Sequence, residues 1–133
     1  PVSRRATSLT VWMSLRAHGW NAVRDSVREN IRLTRVLEGE LAAAGFRVLA
    51  GGELSVACAR FEPRGLTGER LDALQADITR DLVASGATWF TTLEHVGALW
   101  MRFNLVNIYT RERHVRRLVG LLREAADRHA PGR

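Results

Sequence analysis

The sequence predicts an α+β fold: a long helix near the start, then a small antiparallel sheet with helices gathered on one face. Three observations predict it. Apolar residues recur at helical spacing from Trp20 to Ala44. Four short apolar or alternating runs follow in two pairs, bounded by Gly and Pro. A further helical stripe follows each pair, giving the order helix–helix–β–β–α–β–β–α. Short turns make paired strands antiparallel, so their helices collect on one side.

Each element has a local reason. Pro1 to Ser8 reads as an extended lead-in, and Leu9 to Ala17 as a first helix with Trp12, Met13 and Leu15 near one another. His18-Gly19 marks a break. The long helix then carries Val23, Val27 and Ile31, followed by Leu33, Leu37 and Leu41, and Gly45 closes it as a C′ residue. Phe46 to Ala50 and Leu54 to Phe61 form a strand pair around Gly51-Gly52. Cys58 is read as a small core residue of the second strand. Thr67 is the expected N-cap of a helix built on Leu71, Leu74, Ile78 and Leu82, which stops at Gly86. Thr88 to Glu94 and Ala98 to Val106 are the second strand pair, with His95 in their turn. In the last strand Leu99, Met101, Phe103 and Leu105 share one side, opposite Trp100, Arg102, Asn104 and Val106. Thr110 is the expected cap of a final helix whose inner stripe is Val115, Leu118, Val119, Leu122 and Ala126.

Composition narrows the function classes. At 133 residues, 46% hydrophobic and 26% charged, the chain is one domain's worth of foldable sequence, not a disordered tail or a collagen-like fibre. Cys58 is the single cysteine, so no internal disulfide forms, and a reducing, cytoplasmic location is expected. No apolar run approaches about 18 residues, and neither a membrane span nor a secretory leader is expected. All 20 basic residues are arginine, so no side chain can form a Schiff base with an aldehyde.

The net charge of +6 is unevenly placed: residues 1–35 carry +5, residues 36–110 carry −3 and residues 111–133 carry +4. No nucleic-acid recognition module accompanies it. Arg24, Arg28, Arg32 and Arg35, interleaved with Asp25 and Glu29, read as a solvated flank or a subunit contact. His18, His95, His114 and His129 share no metal-ligand spacing with one another or with Cys58, so no metal site is expected. Phosphate-loop and nucleophile-elbow motifs are absent. Asp77 and Asp81, one helical turn apart, read as solvated. Two features stand out. Ser3-Arg4-Arg5 is a polar, doubly cationic stretch ahead of an apolar helix, or simply a charged terminus. Arg102, flanked by Met101 and Phe103, must point off the core face or be paired. Its planar fork suits a carboxylate or phosphate, and an edge or interface salt bridge is the simpler reading.

The run Pro1-Val2-Ser3-Arg4-Arg5, Ser8-Leu9, Val11-Trp12, Leu15-Arg16-Ala17-His18-Gly19 resembles a segment of the pyridoxal-phosphate (PLP)-dependent group II amino-acid decarboxylases. That family includes the aromatic-amino-acid, histidine, tyrosine and glutamate decarboxylases. The resemblance continues through Gly45-Phe46 to Phe61, and resumes at Leu99-Trp100-Met101-Arg102-Phe103, Asn107 and Thr110. It departs from the family pattern at Thr10, near the place of a usual lysine that does not carry the cofactor. It implies the C-terminal small domain of the fold-type I PLP enzyme architecture. Residues 1–45 would be lead-in loop and inter-domain helices, and residues 46–133 the small domain.

The resemblance also implies PLP, held covalently by a lysine of a large domain that this chain does not contain. The ring would accept the electrons left when carbon dioxide departs. No catalytic residue is then expected in this chain, which would be inactive alone. Val2 and Ser3 match a loop that reaches the neighbouring subunit's active site beside cofactor and substrate. A serine there narrows the pocket and adds a hydroxyl, favouring phenol or imidazole over indole. Arg4 and Arg5 match paired arginines that anchor this loop. Arg102 matches an arginine near the substrate carboxylate in some members. The implied partners are the large PLP-binding domain, a second subunit in a homodimer and an amino-acid substrate. Two alternatives stay open: a stand-alone α+β module binding an acidic partner or nucleic acid, and a PLP enzyme of the same fold but another reaction, such as an aldehyde synthase or transaminase.

Overall fold

A computed structural model of the chain describes residues 7–49 and 52–130. Helix α1 spans Thr7–Ala43 and is interrupted at Gly19, where φ is 75° and ψ is 163°. The short and the long helix expected from the sequence are therefore both present, joined at one non-helical residue. Gly45 follows α1 at φ 84°, its N–H bonded to the Ala42 carbonyl, in the left-handed position that ends so many helices.

The remaining elements are β1 (Phe46–Val48), β2 (Val56–Phe61), α2 (Gly68–Ala84), β3 (Thr91–His95), β4 (Ala98–Asn104) and α3 (Glu112–His129). All pairings are antiparallel, in the order β1-β2-β4-β3. The strands are shorter than the apolar runs that signal them. Phe90 leaves the ladder and buries its ring 4.9 Å from that of Phe103. His95 belongs to β3 rather than to the turn, which is made by Val96 and Gly97, both at positive φ.

One core lies between the sheet and the three helices. Ala57, Ala59 and Phe61 of β2 and Met101 and Phe103 of β4 meet Leu33, Leu37 and Leu41 of α1. Leu74, Ile78 and Leu82 of α2 and Val119 and Leu122 of α3 close it. Alternation along each strand sends Val56, Cys58 and Arg60, with Trp100, Arg102 and Asn104, to the opposite, open face. Cys58 is therefore not a core residue: it lies half-buried on the open face, because the neighbours Ala57 and Ala59 take the core side.

The core uses only the second half of α1, whose buried residues are Asn30, Leu33, Thr34, Leu37 and Leu41. Upstream, Trp12, Trp20, Val23 and Val27 lie exposed. Thr67 occupies the N-cap of α2 in extended backbone, without a capping bond from its side chain. At α3 the N-cap is Arg111, one residue beyond the expected Thr110. His114 Nδ1 accepts the Arg111 backbone N–H at 3.2 Å, which fixes the start of the helix there.

Candidate functional site

The open face is built in rows across the strands. Arg102 sits on β4 directly between Cys58 of β2 and Thr91 of β3. Its side chain is exposed, and among the described residues it makes no hydrogen bond or ion pair. Of the simpler reading, an edge or interface salt bridge, the edge form is absent among the described residues. Its two cross-strand neighbours are short and uncharged, so nothing in its row competes for the guanidinium. Burial pushes the Cys58 thiol up, and the Arg102 charge partly offsets this, so at neutral pH the thiol is protonated.

The adjacent row is filled by Trp100 and its arginines. Trp100 lies between two arginines, with the guanidinium carbons of Arg47 and Arg60 each 5.5 Å from its ring centre. Arg60 is buried, its Nη2 donating to Asp72 Oδ1 at 3.0 Å and its Nε lying 3.3 Å from Glu62 Oε1. Arg47 Nη1 donates to the same Glu62 oxygen at 3.2 Å. The carboxylates beside this face are thus held by Arg47 and Arg60. Asp72 Oδ1 also accepts the Leu99 backbone N–H at 2.9 Å, tying α2 to β4 three residues before Arg102. Sequence reading places Trp100 off the core face but misses its burial, because the covering arginines come from β1 and β2.

The Arg…Asn…Thr pattern resolves into one exposed strand arginine, Arg102, and one turn. Asn107 Oδ1 accepts the Tyr109 N–H at 2.9 Å, and the Asn107 carbonyl accepts the Thr110 N–H at 3.0 Å. Asn107 therefore shapes the β4–α3 connection. A cleft of about 190 Å³ opens beside it, with Leu37, Phe103, Leu105, Val115 and Leu118 among its apolar lining. Val2, Ser3, Arg4 and Arg5 lie outside the described residues.

Most other charged groups pair among themselves. Arg32 bridges Glu29 and Glu112, each at 2.8 Å, and Arg116 joins Glu40 to Glu112 at 3.1 Å, so α1 and α3 are clamped along one edge. Arg28 meets Asp25, Arg35 meets Glu38, and Arg24 donates to Asn21. Asp77 and Asp81, expected to be solvated, accept from Arg80 and from Arg128. No group of three or more metal-ligating side chains occurs among the described residues. No described helix is long and apolar enough to cross a membrane.

No family model matches the chain. Tryptophan decarboxylase 2 of Oryza sativa subsp. japonica is 30% identical over 127 residues, covering 95% of this chain and 26% of that protein. The crystal structure of Oryza sativa TDC with PLP and tryptamine superposes with a TM-score of 0.83 at 21% identity, over 95% of this chain and 28% of that one. Rhodiola rosea 4-hydroxyphenylacetaldehyde synthase matches with a TM-score of 0.79 at 22% identity, over 93% and 27%. The chain spans about a quarter of the length of the curated relatives it matches. In sequence and in fold, the chain matches the C-terminal portion of the PLP-dependent group II amino-acid decarboxylases.

Proposed function

We propose that this chain is the C-terminal portion of a PLP-dependent decarboxylase of aromatic amino acids, and that its open sheet face turns toward the substrate site. The observation that carries the reading is Arg102. It is a permanently charged fork, free of partners among the described residues, on a face whose carboxylates are already engaged. Such a group suits the carboxylate of an amino acid. The names of the curated relatives, which are tyrosine, DOPA and tryptophan decarboxylases, support an aromatic substrate.

The residues present do not fit PLP as a covalent ligand, because the chain contains no lysine. The cofactor's amine partner would come from a large domain outside this chain, and the chain alone would be inactive. What its own residues contribute is binding. Arg102 orients the substrate carboxylate, Val2 and Ser3 border the pocket beside cofactor and substrate, and Arg4 and Arg5 anchor their loop. Residues 1–45 would be the lead-in and inter-domain helices and residues 46–133 the small domain, with Leu33 to Leu41 serving both. The uncovered face of α1 suits contact with the large domain or with a second subunit of a homodimer. A cytoplasmic location accords with the single cysteine, Cys58.

A strong fork on the carboxylate that leaves stabilises the ground state, so Arg102 is a binding group and not a catalytic one. The test combines this chain, fused or in trans, with a polypeptide carrying the lysine-bearing domain. We expect PLP-dependent release of carbon dioxide from an aromatic amino acid by the combination and none by the chain alone. Turnover by the chain alone, or no turnover by any such combination, would overturn the reading. In the active combination, Arg102→Ala is expected to raise KM more than it lowers kcat. A loss confined to kcat would count against the assignment. The match to an aldehyde synthase supports a second reading, the same fold running that reaction, and product analysis in the same assay separates the two.

A further inference from the structure

We infer that Gly19 is a joint that aims the first arm of α1, and with it the segment leading back to Ser3, Arg4 and Arg5. The inference rests on the proposed function for what the arm is aimed at, but the joint itself stands on geometry. At φ 75° and ψ 163°, Gly19 occupies a region open essentially to glycine alone. A Cβ placed on it would meet nothing within 4 Å. Crowding therefore does not explain the glycine; its backbone conformation does. Helix continues on both sides, from Thr7 to His18 and from Trp20 to Ala43, so the change of direction is concentrated in one residue.

Residues 7–18 are exposed throughout, apart from a half-buried Leu15. The Ser14 hydroxyl donates to the Thr10 carbonyl, and Arg16 lies over the Trp12 ring at 5.9 Å, both contacts internal to the arm. The second arm is held firmly, since Asn30 to Leu41 are packed into the core. An L residue at position 19 would favour continuing the helix, and alanine most of all. Gly19→Ala should therefore straighten α1 and swing the first arm away, without touching the core. A D-alanine carries its Cβ on the side that positive φ tolerates, so Gly19→D-Ala should preserve the joint.

Gly19 is thus a positioning residue, and the test separates the joint from its purpose. Nitroxide labels at positions 8 and 28, with Cys58 replaced by Ala, report the shape of α1 by pulsed dipolar spectroscopy. Twenty residues of straight helix would separate the labelled backbone sites by about 30 Å. We expect the parent chain to fall several Å short of its Gly19→Ala variant, and the variant to gain helical circular dichroism. Equal separations in the two would overturn the joint. The D-Ala chain is accessible by joining a synthetic 1–57 segment to residues 58–133 at Cys58, and should match the parent by circular dichroism; a gain in helicity equal to that of Gly19→Ala would also overturn it. In the active two-part enzyme, Gly19→Ala should lower kcat/KM by about a hundredfold, the scale of a misplaced binding loop, and Gly19→D-Ala should restore it. If the label distances change as expected while kcat/KM does not, the aiming role is overturned. If no combination decarboxylates at all, the proposed function fails while the distances still decide the joint.

Discussion

At the residue scale, Gln75 is the side chain whose sequence context says least and whose structural role is largest. It is fully buried in α2, donates to the Phe61 carbonyl at 2.8 Å and accepts the Phe61 N–H at 2.8 Å. It thereby completes the end of β2 as a neighbouring strand would. Replacing it by leucine keeps the volume but strands two backbone groups in the core. Gln75→Leu is expected to cost about 3 kcal/mol, read from the shift in urea midpoint at constant m-value. Helical periodicity marks Leu71, Leu74, Ile78 and Leu82 as inward residues, and all four are buried. It cannot show that a glutamine beside that stripe finds two partners on a strand 14 residues earlier. Arg102 is the opposite case. Its place among alternating apolar residues says that it leaves the core, and the structure puts it on the exposed face.

At the element scale, α3 holds α1 and α2 through carboxylates that gain from their arginine neighbours. The Arg32 side chain bonded to Glu29 and Glu112 holds both carboxyls below the usual range. Asp81 is lowered in the same way, first by Arg128 and then by His129. A carboxyl lowered in the folded state contributes stability above its unfolded pKa and loses it as pH falls through the folded value. The clamps should therefore weaken progressively as pH drops below about 4.5, where unfolded carboxylates begin to protonate. The check is the thermal midpoint against pH: the acid-side slope should flatten in Arg32→Gln, and an unchanged slope would show that the clamp contributes nothing. The pairs are solvent-exposed, so salt should also shrink the effect. The sequence marks the basic flank of α1, but not its cross-helix partner Glu112, 80 residues away. Element order and helix ends are legible because glycine and periodicity act locally. Strand ends are less so, since pairing partners set them: Thr88 to Phe90 have the composition of a strand but no ladder to join.

At the scale of the whole molecule, two surfaces stay exposed among the described residues, the outer half of α1 and the part of the open sheet face around Arg102. Trp12, Trp20 and Trp89 are exposed at 58%, 74% and 75%, whereas Trp100 is buried. Most indole emission of the chain alone should therefore be open to acrylamide quenching. Pairing with a cofactor-bearing polypeptide should shield Trp12 and Trp20 if that partner covers α1, with Trp89→Phe and Trp100→Phe isolating their signal. Unchanged quenching in an active complex would show that α1 stays in solvent. Exposure of this sort follows from the length of the apolar stripe against the small sheet available to cover it, and the sequence shows that mismatch directly.

The sheet is two hairpins stitched along a single seam, β2 against β4, and Arg102 lies on that seam opposite Cys58. Neither hairpin alone presents this arginine on a finished surface. Its geometry exists only once the two halves of the polypeptide, separated by the whole of α2, have closed on each other. Severing the backbone between Phe61 and Gly68 would consequently leave two pieces, one with the arginine and one with the floor beside it, and the carboxylate binding we propose for Arg102 would return only on their reassembly.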